Sequence, residues 1–338
     1  MLAEPEITCI ACHHHGDLVH MYDESIHKSF GVIFESLIIS SDPDILPSSY
    51  QSRVISAIEH PFPASKRNFG ADQAKGKYLA FFDDDVETDP NCLYEMKKHL
   101  DENPSTGMVF SKLLNMEHRN RFDEAGSYLT WTGFLWSRAA QHIEDKGQYD
   151  YVEPILSGKS AACMIRTELF FKIGKFDEDF GILGEETDLA WRVWLRGSWV
   201  MFIPKAVAYH AFNTKFKPRD KFYTDTRVYY NGCRNYITLL IKNLGALNLC
   251  KILPVHLMVW LTATFAMMFT GRIVPGWKIL LGILHVLRNL PSLIRKRNAV
   301  QKQRVKSDRD IWPFVVCQPP RGYFAHRLWK YISSTLHG

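Results

Sequence analysis

The segment Tyr78–Asp85 constrains this chain most, because five largely apolar residues lead directly into three adjacent carboxylates. An apolar run of this length, bounded by polar residues, is typical of a strand buried in a sheet. Unpaired carboxylates are costly to bury, so the acids must follow the strand and not belong to the core. In open α/β sheets, ligands bind just beyond the carboxyl ends of the strands. The segment therefore predicts a ligand site at a sheet edge, with a solvated acidic turn as the alternative.

The type of ligand follows from the donor atoms. Clustered carboxylate oxygens suit Mg²⁺ or Mn²⁺, and a metal held by a few carboxylates takes its other ligands from phosphate and water. The acids therefore favour a metal-dependent enzyme that acts on a phosphorylated substrate. His210 follows a strand-like segment and is a candidate imidazole ligand for the same metal. A structural role for this single histidine is the alternative.

Strand-like and helix-like segments alternate over the first 210 residues. The predicted strands are Ile7–Cys12, Phe34–Ser40, Arg53–Ile58, Tyr78–Phe82, Met108–Leu113, Gly158–Ile165 and Trp199–Pro204, and the predicted helices include Lys66–Ala74, Asp89–Leu100 and Thr187–Arg196. We expect the last of these strands to stop at its proline. The alternation predicts an α/β fold with a mostly parallel sheet flanked by helices.

A second group of acids lies around the start of the predicted helix 187–196. Acids near a helix N-terminus gain from the helix dipole, so Glu185 and Glu186 have a capping role as one interpretation. Asp188 and Arg192 have the i, i+4 spacing of an ion pair. Glu186 has a second interpretation, because a carboxylate that faces a metal–phosphate site is well placed to accept a proton from a hydroxyl group.

The character of the chain changes after residue 221. Ile252–Thr270 is almost wholly apolar, and a bilayer crossing needs about 20 such residues, so this stretch is borderline. Ile279–Leu287 is apolar but shorter, and residues 288–309 carry eight basic residues and one acid. Basic residues on both sides of the apolar stretches fit a re-entrant or interfacial hairpin with cytoplasmic ends. Two buried helices of a helical subdomain are the alternative.

These patterns predict a catalytic domain over residues 1–221 and a helical, membrane-associated region over residues 222–338. The seven cysteines are odd in number and scattered, which indicates reduced thiols and the cytoplasmic face of a membrane. Attachment there is either peripheral or integral, through the C-terminal segment. No nucleic-acid partner is expected, because the basic residues are not interleaved with aromatic ones on a known binding module.

Four segments, in this order, resemble motifs of the family 2 inverting glycosyltransferases with the GT-A fold, including rhamnosyltransferase-like members. They are Lys66–Asp85, Gly174–Glu178, Glu185–Arg192 and Pro204–His210. The resemblance spans residues 7–210 and implies a Rossmann-like GT-A sheet. The hydrophobic extension is similar to those of family members that glycosylate lipid-linked acceptors or cell-surface polysaccharide precursors.

The resemblance implies transfer of a sugar from a nucleotide-sugar donor to a hydroxyl group of a glycan or polyprenyl-linked acceptor, with Mn²⁺ or Mg²⁺ as cofactor. Asp85 is then the more direct metal ligand and Asp83 lies nearer the ribose, while Glu186 replaces the family's usual aspartate as the base. A single displacement inverts the anomeric configuration. The implied nucleotide pocket comprises Ser40, Asp42, Arg67, Asp83 and Asp84, and the implied sugar or acceptor contacts are Trp131, Trp136, Gly158, Glu185 and Asp188.

Two segments depart from the family pattern and leave the donor base open. Cys12–His15 stands where a Thr-Tyr-Asn-like triplet usually contacts the base, and Ser40–Asp44 replaces the usual Asp-Asn-Gly-Ser. Two other functions stay open. A sugar nucleotidyltransferase shares the sheet and the metal chemistry but usually has a Gly-rich basic loop after the first strand, which is missing here. The second open function is a non-catalytic scaffold tethered to the membrane. The presence of all the acidic residues of the motifs argues against it.

Overall fold

The computed structural model describes residues 4–13, 18–139, 143–212, 225–318 and 322 of the chain. The chain divides into two compact units, which are residues 1–127 with 137–219, and residues 128–136 with 220–338. The predicted boundary at residues 221 and 222 lies outside the described residues and stays a prediction.

The first unit is built on a ten-stranded mixed sheet. The strands of the described chain are β1 (Ile7–His13), β2 (Phe34–Ser40), β3 (Arg53–Ser56), β4 (Tyr78–Asp83), β5 (Val86–Thr88), β6 (Thr106–Asn115), β7 (Phe122–Glu124), β8 (Ser127–Leu129), β9 (Leu135–Ser137), β10 (Glu153–Pro154), β11 (Ala162–Arg166) and β12 (Trp199–His210). The sheet order is β10-β12-β6-β11-β4-β1-β2-β3, with β5 paired to β12 and β7 paired to β6. Strands β1 to β4, β6 and β12 run parallel, and β11 lies antiparallel between β4 and β6.

Helices flank this sheet, as the alternation of segments predicts. They are α1 (Val19–Ile26), α2 (Pro63–Asp72), α3 (Cys92–Glu102), α4 (Thr167–Lys172) and α5 (Glu185–Leu195). All seven residues of β1 are buried, which explains why a continuous apolar run marks this central strand. Helix α2 approaches β1 closely at Gly70, where an added Cβ would lie 2.7 Å from Cγ2 of Ile10. The predicted α/β fold with a mostly parallel sheet is confirmed.

One predicted strand end was wrong, because β12 does not stop at Pro204. Its pairing with β6 shifts register between Ile203 and Val207, and the proline lies within this irregularity. Proline has no N–H to donate to a ladder, so a bulge is one of the few places in a sheet that accept it. The strand resumes beyond the bulge and delivers His210 to its end, opposite Val86 of β5.

The second unit is helical. The helices in its described residues are α6 (Thr226–Asn243), α7 (Ala246–Phe269), α8 (Ile273–Arg288), α9 (Leu290–Lys302) and α10 (Asp308–Val315). Four buried residues spaced four apart on α6, from Tyr229 to Ile241, form a stripe that packs with Met267 of α7 and Ile279 of α8. The predicted apolar stretch 252–270 lies within α7, except for Thr270, which follows the end of the helix.

Among the described residues, α7 is the one helix that by itself is long and apolar enough to cross a membrane, with 24 residues. Helices α8 and α9 pass the same test only as a pair, and they bend by 68° at their junction. A bent pair of this kind is compatible with a broken span or a re-entrant loop. The predicted re-entrant or interfacial hairpin therefore stays a prediction.

Residues 128–136, which form most of the β8–β9 hairpin, belong to the second unit. The Nδ1 atom of the fully buried His256 lies 2.9 Å from the carbonyl oxygen of Thr132, in the turn of the hairpin. The ring of Phe134 packs against the rings of Tyr236, His256 and Trp260, with centroid distances of 5.3, 4.2 and 5.4 Å. Helices α6 and α7 therefore hold a segment that lies about a hundred residues earlier in the chain.

Candidate metal centre

The strand register brings polar residues together at one edge of the sheet. His13 at the end of β1 lies opposite Ser40 at the end of β2, and Cys12 lies opposite Asp83 at the end of β4. Only Asp84 and Asp85 separate β4 from β5. Because β5 pairs with the end of β12, the acidic turn lies next to His210.

The three predicted metal ligands form a cluster at this edge. Asp83, Asp85 and His210 each offer one ligand atom, and these atoms all lie within 4.8 Å of one another. Nε2 of His210 is 3.4 Å from Oδ1 of Asp85 and 4.0 Å from Oδ2 of Asp83. The backbone holds the turn, since the amide of Ala211 donates to the carbonyl of Asp85 at 3.0 Å. Two carboxylates and one imidazole are a donor set that fits a divalent metal, and Mn²⁺ in particular accepts both ligand types.

The second ring nitrogen of His210 also has a partner. Its Nδ1 atom lies 2.7 Å from Oδ2 of Asp123, whose side chain is 1% exposed. The two carboxylate oxygens of Asp123 accept from Nζ of Lys159 at 2.6 and 2.7 Å. Burial lowers the pKa of His210, but the charges of Asp85 and Asp123 outweigh it and raise the pKa to about 10. Asp123 and Lys159 were missed in the sequence, because no motif marks either residue.

Arg67 lies between two acids instead of opening onto solvent. Its side chain is 2% exposed, and its two terminal nitrogens donate to Oε1 of Glu185 at 2.8 Å and to Oδ1 of Asp83 at 2.7 Å. Burial works against the charge of Arg67, but Asp83 and other neighbouring groups raise the pKa of Arg67 above its usual range. The guanidinium therefore ties the end of β4 to the start of α5. Its contact with a nucleotide, and that of Glu185 with a substrate, stay predictions.

Helix α5 presents its acids in two different ways. It begins after Gly184, whose φ of +91° is the left-handed conformation that glycine adopts readily. Asp188 is fully buried and accepts from Nε of Arg192 at 2.8 Å, which is the i, i+4 pair that the spacing predicts. Glu186 is only half-buried, and desolvation together with the charge of Glu185 raises the pKa of Glu186 well above its usual range. A substrate contact of Asp188 and the base role of Glu186 stay predictions.

The remaining nucleotide-pocket candidates surround the ends of β2 and β4. Oγ of Ser40 lies 2.8 Å from Nδ1 of His13 and accepts from the amide of Asp42 at 3.0 Å. Asp42 is half-buried, and Asp84 is buried in the acidic turn. The structure thus brings these residues to the edge that carries the metal cluster.

The sugar and acceptor candidates belong to both units. Gly158 is buried in the first unit, where an added Cβ would lie 2.8 Å from the ring of Phe110. Trp131 is 58% exposed in the β8–β9 hairpin of the second unit. Trp136 is half-buried in the same hairpin, with its ring centroid 6.2 Å from that of Tyr128. Their substrate contacts stay predictions.

Known proteins resemble this chain in sequence and in fold. Residues 47–253 match the family described as "Glycosyltransferase like family 2". The O-antigen biosynthesis protein RfbC of Myxococcus xanthus is 33% identical over 147 residues, which are 41% of this chain and 11% of RfbC. The putative polypeptide N-acetylgalactosaminyltransferase 13 of Drosophila melanogaster is 27% identical over 157 residues, which are 44% of this chain and 27% of that protein. The match therefore spans less than a third of the length of either relative.

The crystal structure of GalNAc-T7 with UDP, GalNAc and Mn²⁺ is similar to this chain with a TM-score of 0.52 and 16% sequence identity. The similarity covers 70% of this chain and 51% of GalNAc-T7. At this identity the likeness shows the fold, which agrees with the GT-A sheet that the sequence motifs imply.

Proposed function

Because this chain belongs to the glycosyltransferase family 2-like proteins, we propose that it moves a sugar from a nucleotide-diphosphate donor to a hydroxyl group of a glycan or polyprenyl-linked acceptor. The transfer depends on a divalent metal and inverts the anomeric carbon. The observation that carries this proposal is the cluster of Asp83, Asp85 and His210 at the sheet edge. The name of RfbC, which refers to O-antigen biosynthesis, supports a role in making a cell-surface polysaccharide.

Asp83, Asp85 and His210 are the residues that would hold the metal. When bound, a divalent cation supplies positive charge that stabilises the leaving nucleoside diphosphate. The imidazole in the donor set favours Mn²⁺ over Mg²⁺, because nitrogen ligands suit transition metals better than Mg²⁺. The salt bridge of Arg67 keeps Asp83 in one orientation.

Glu186 acts as the general base of the proposed reaction. It takes the proton of the acceptor hydroxyl while the hydroxyl oxygen forms a bond to the anomeric carbon. The bond from that carbon to the diphosphate oxygen breaks, and its electron pair leaves with the diphosphate. A raised pKa supports this role, because a more basic carboxylate is a better proton acceptor once it is ionised.

The exposed surface of the second unit supports membrane association, which in turn favours a lipid-linked acceptor. Large apolar side chains on α7 and α8 are exposed, among them Met258, Phe265, Phe269, Val274, Trp277, Leu284 and Leu287. Five of the eight basic residues of the 288–309 run are also exposed, namely Arg288, Arg295, Lys302, Lys306 and Arg309. Apolar and basic surfaces together favour the anionic cytoplasmic face of a membrane, with peripheral or integral attachment.

Two arginines of the basic run form contacts within the second unit. Arg297 donates to the carbonyls of Ile241 and Leu244, the latter at 2.7 Å, and Arg304 forms an ion pair with Asp308. Arg297 therefore binds backbone groups at the C-terminal end of α6, which have no partner within that helix. This division separates basic residues that hold the unit together from those that are available to a membrane.

The test of the proposed function uses the purified full-length chain with Mn²⁺ and a panel of nucleotide sugars, with and without a lipid-linked acceptor fraction. Release of nucleoside diphosphate from one donor, lost with a chelator and in Asp85→Asn, is the expected result. The glycosidic product should have the anomeric configuration opposite to that of the donor. Release of pyrophosphate, or metal-independent transfer with retention, would overturn the proposal.

A further inference from the structure

We propose that Asp123 and Lys159 are positioning residues for the metal site. Asp123 fixes the orientation of the His210 ring so that Nε2 faces Asp83 and Asp85, and Lys159 holds Asp123 in place. The inference rests on the proposed metal site and adds two residues to it that no sequence motif identifies.

The sheet register places Asp123 beside His210. Strand β7 pairs with β6 through Leu114 and Phe122, and β6 pairs with β12 through Asn115 and His210. Strand β6 thus lies between the two residues in the pairing order and sets both positions. Their side chains meet at 2.7 Å, although they are 87 residues apart in the chain.

The hydrogen bond determines which ring nitrogen faces the cluster. An ionised carboxylate can only accept, so Nδ1 of His210 carries the proton that Oδ2 of Asp123 binds. Nε2 is then the atom that faces Oδ1 of Asp85, at 3.4 Å. In metal sites the ligating histidine generally donates its second N–H to such a carboxylate, which fixes the ring and strengthens the ligand. The pair of His210 and Asp123 has this arrangement.

Lys159 holds the carboxylate of Asp123 in place through two hydrogen bonds. Both carboxylate oxygens accept from the same ammonium group, which also lies 4.7 Å from the centroid of the Phe212 ring. Without this cation, the buried carboxylate of Asp123 would add a third negative charge near Asp83 and the buried Asp85. The Lys159 side chain is 34% exposed, so its replacement leaves no buried hole.

The experiment measures Mn²⁺ binding to the full chain by titration calorimetry, with Mn²⁺ alone as the probe. Asp123→Asn and Lys159→Met should each weaken binding about 10- to 100-fold, the usual cost of losing an outer-shell partner. Lys159→Arg should restore most of the affinity, because it keeps the cation. Asp145→Asn is the matched control, since Asp145 pairs with Lys112 of β6 at 2.8 Å in another carboxylate–lysine pair. It should bind Mn²⁺ like the wild type.

The outcomes separate this inference from the proposed function. Wild-type affinity in both Asp123→Asn and Lys159→Met would overturn the positioning role and leave the metal site standing. A wild-type chain that binds no Mn²⁺ would overturn the metal site and the positioning role together. If Asp123→Asn does not fold, Lys159→Met with Lys159→Arg decides the matter, because rescue by arginine requires the charge and not the packing.

Discussion

The two units of this protein use charge in opposite ways. In the first unit, charged groups at the sheet edge form buried ion pairs, as Arg67 does with Glu185, and Arg67 also binds the partly exposed Asp83. In the second unit, basic and apolar side chains are exposed along α7 to α9. Buried, fixed charge suits chemistry on a charged substrate, because preorganised groups need no rearrangement during the reaction. Exposed basic and apolar surface suits a lipid interface, where affinity accumulates over many weak contacts.

Glu186→Gln should produce the largest effect, because it removes the proposed base without changing the shape of the side chain. General-base catalysis contributes about 10²- to 10⁴-fold, so kcat should fall by that amount. Steady-state assays of nucleoside diphosphate release will measure it, with thermal denaturation to confirm folding. Glu168→Gln is the control, since Glu168 is an exposed acid in the first turn of α4. Equal activity in both variants would remove Glu186 from the mechanism.

Arg67→Met should destabilise the first unit. Removing one member of a buried ion pair leaves an uncompensated charge at a cost of about 3–5 kcal/mol. The low end applies here, because Glu185 is 6% exposed but the Asp83 side chain is 33% exposed and solvent screens it. Urea unfolding will measure the loss. Arg53→Met on the exposed position of β3 should change stability little, and a similar loss in both variants would argue against the bridge.

Neutralising exposed basic residues of the second unit should weaken membrane binding without unfolding. Each basic residue near an anionic surface contributes about 1 kcal/mol, so Arg295, Lys302 and Lys306 changed together to Gln should lower vesicle affinity about 10²-fold. Co-sedimentation with vesicles containing phosphatidylglycerol will measure it. Arg297→Gln should instead destabilise the unit, because Arg297 binds carbonyls at the end of α6. Unchanged binding by the triple variant would exclude the basic surface as the membrane contact.

The pH dependence of transfer should reflect the raised pKa of Glu186. A base works when deprotonated, so activity is present above its pKa and is lost as the pH falls through it. Because burial and Glu185 raise that pKa, the acidic limb of kcat should lie at higher pH than for an ordinary glutamate. Below the pKa, kcat should drop about tenfold per pH unit. A profile that stays flat down to the ordinary pKa of glutamate would contradict the assignment.

In the first unit the sequence predicts local elements better than the contacts between distant segments, for a physical reason. Local sequence patterns predict the buried parallel strands and the acidic turn after β4. They also predict the pair of Asp188 and Arg192. Contacts that depend on register between distant segments leave no such pattern. The bond between His210 and Asp123, the extension of β12 past Pro204 and the antiparallel insertion of β11 all belong to this class.

The same limit explains why the β8–β9 hairpin was not expected in the second unit. Its packing depends on Gly133, whose φ is +79° and where an added Cβ would lie 2.7 Å from Leu240, 2.9 Å from Ile252 and 3.0 Å from His256. These three residues come from α6 and α7. The periodicity of apolar residues predicts contacts within an element. It cannot predict that a glycine in a turn packs against side chains more than a hundred residues away.

Gly133→Ala should therefore have the smallest but most specific effect on the second unit. Alanine in the left-handed region costs about 1 kcal/mol, and the crowded side chains must also shift. The control is Gly232→Ala in α6, where an added Cβ meets nothing within 4 Å and alanine favours a helix by about 1 kcal/mol. The melting temperature should therefore fall in Gly133→Ala and rise in Gly232→Ala. The same direction for both would mean that α6 and α7 do not hold the hairpin.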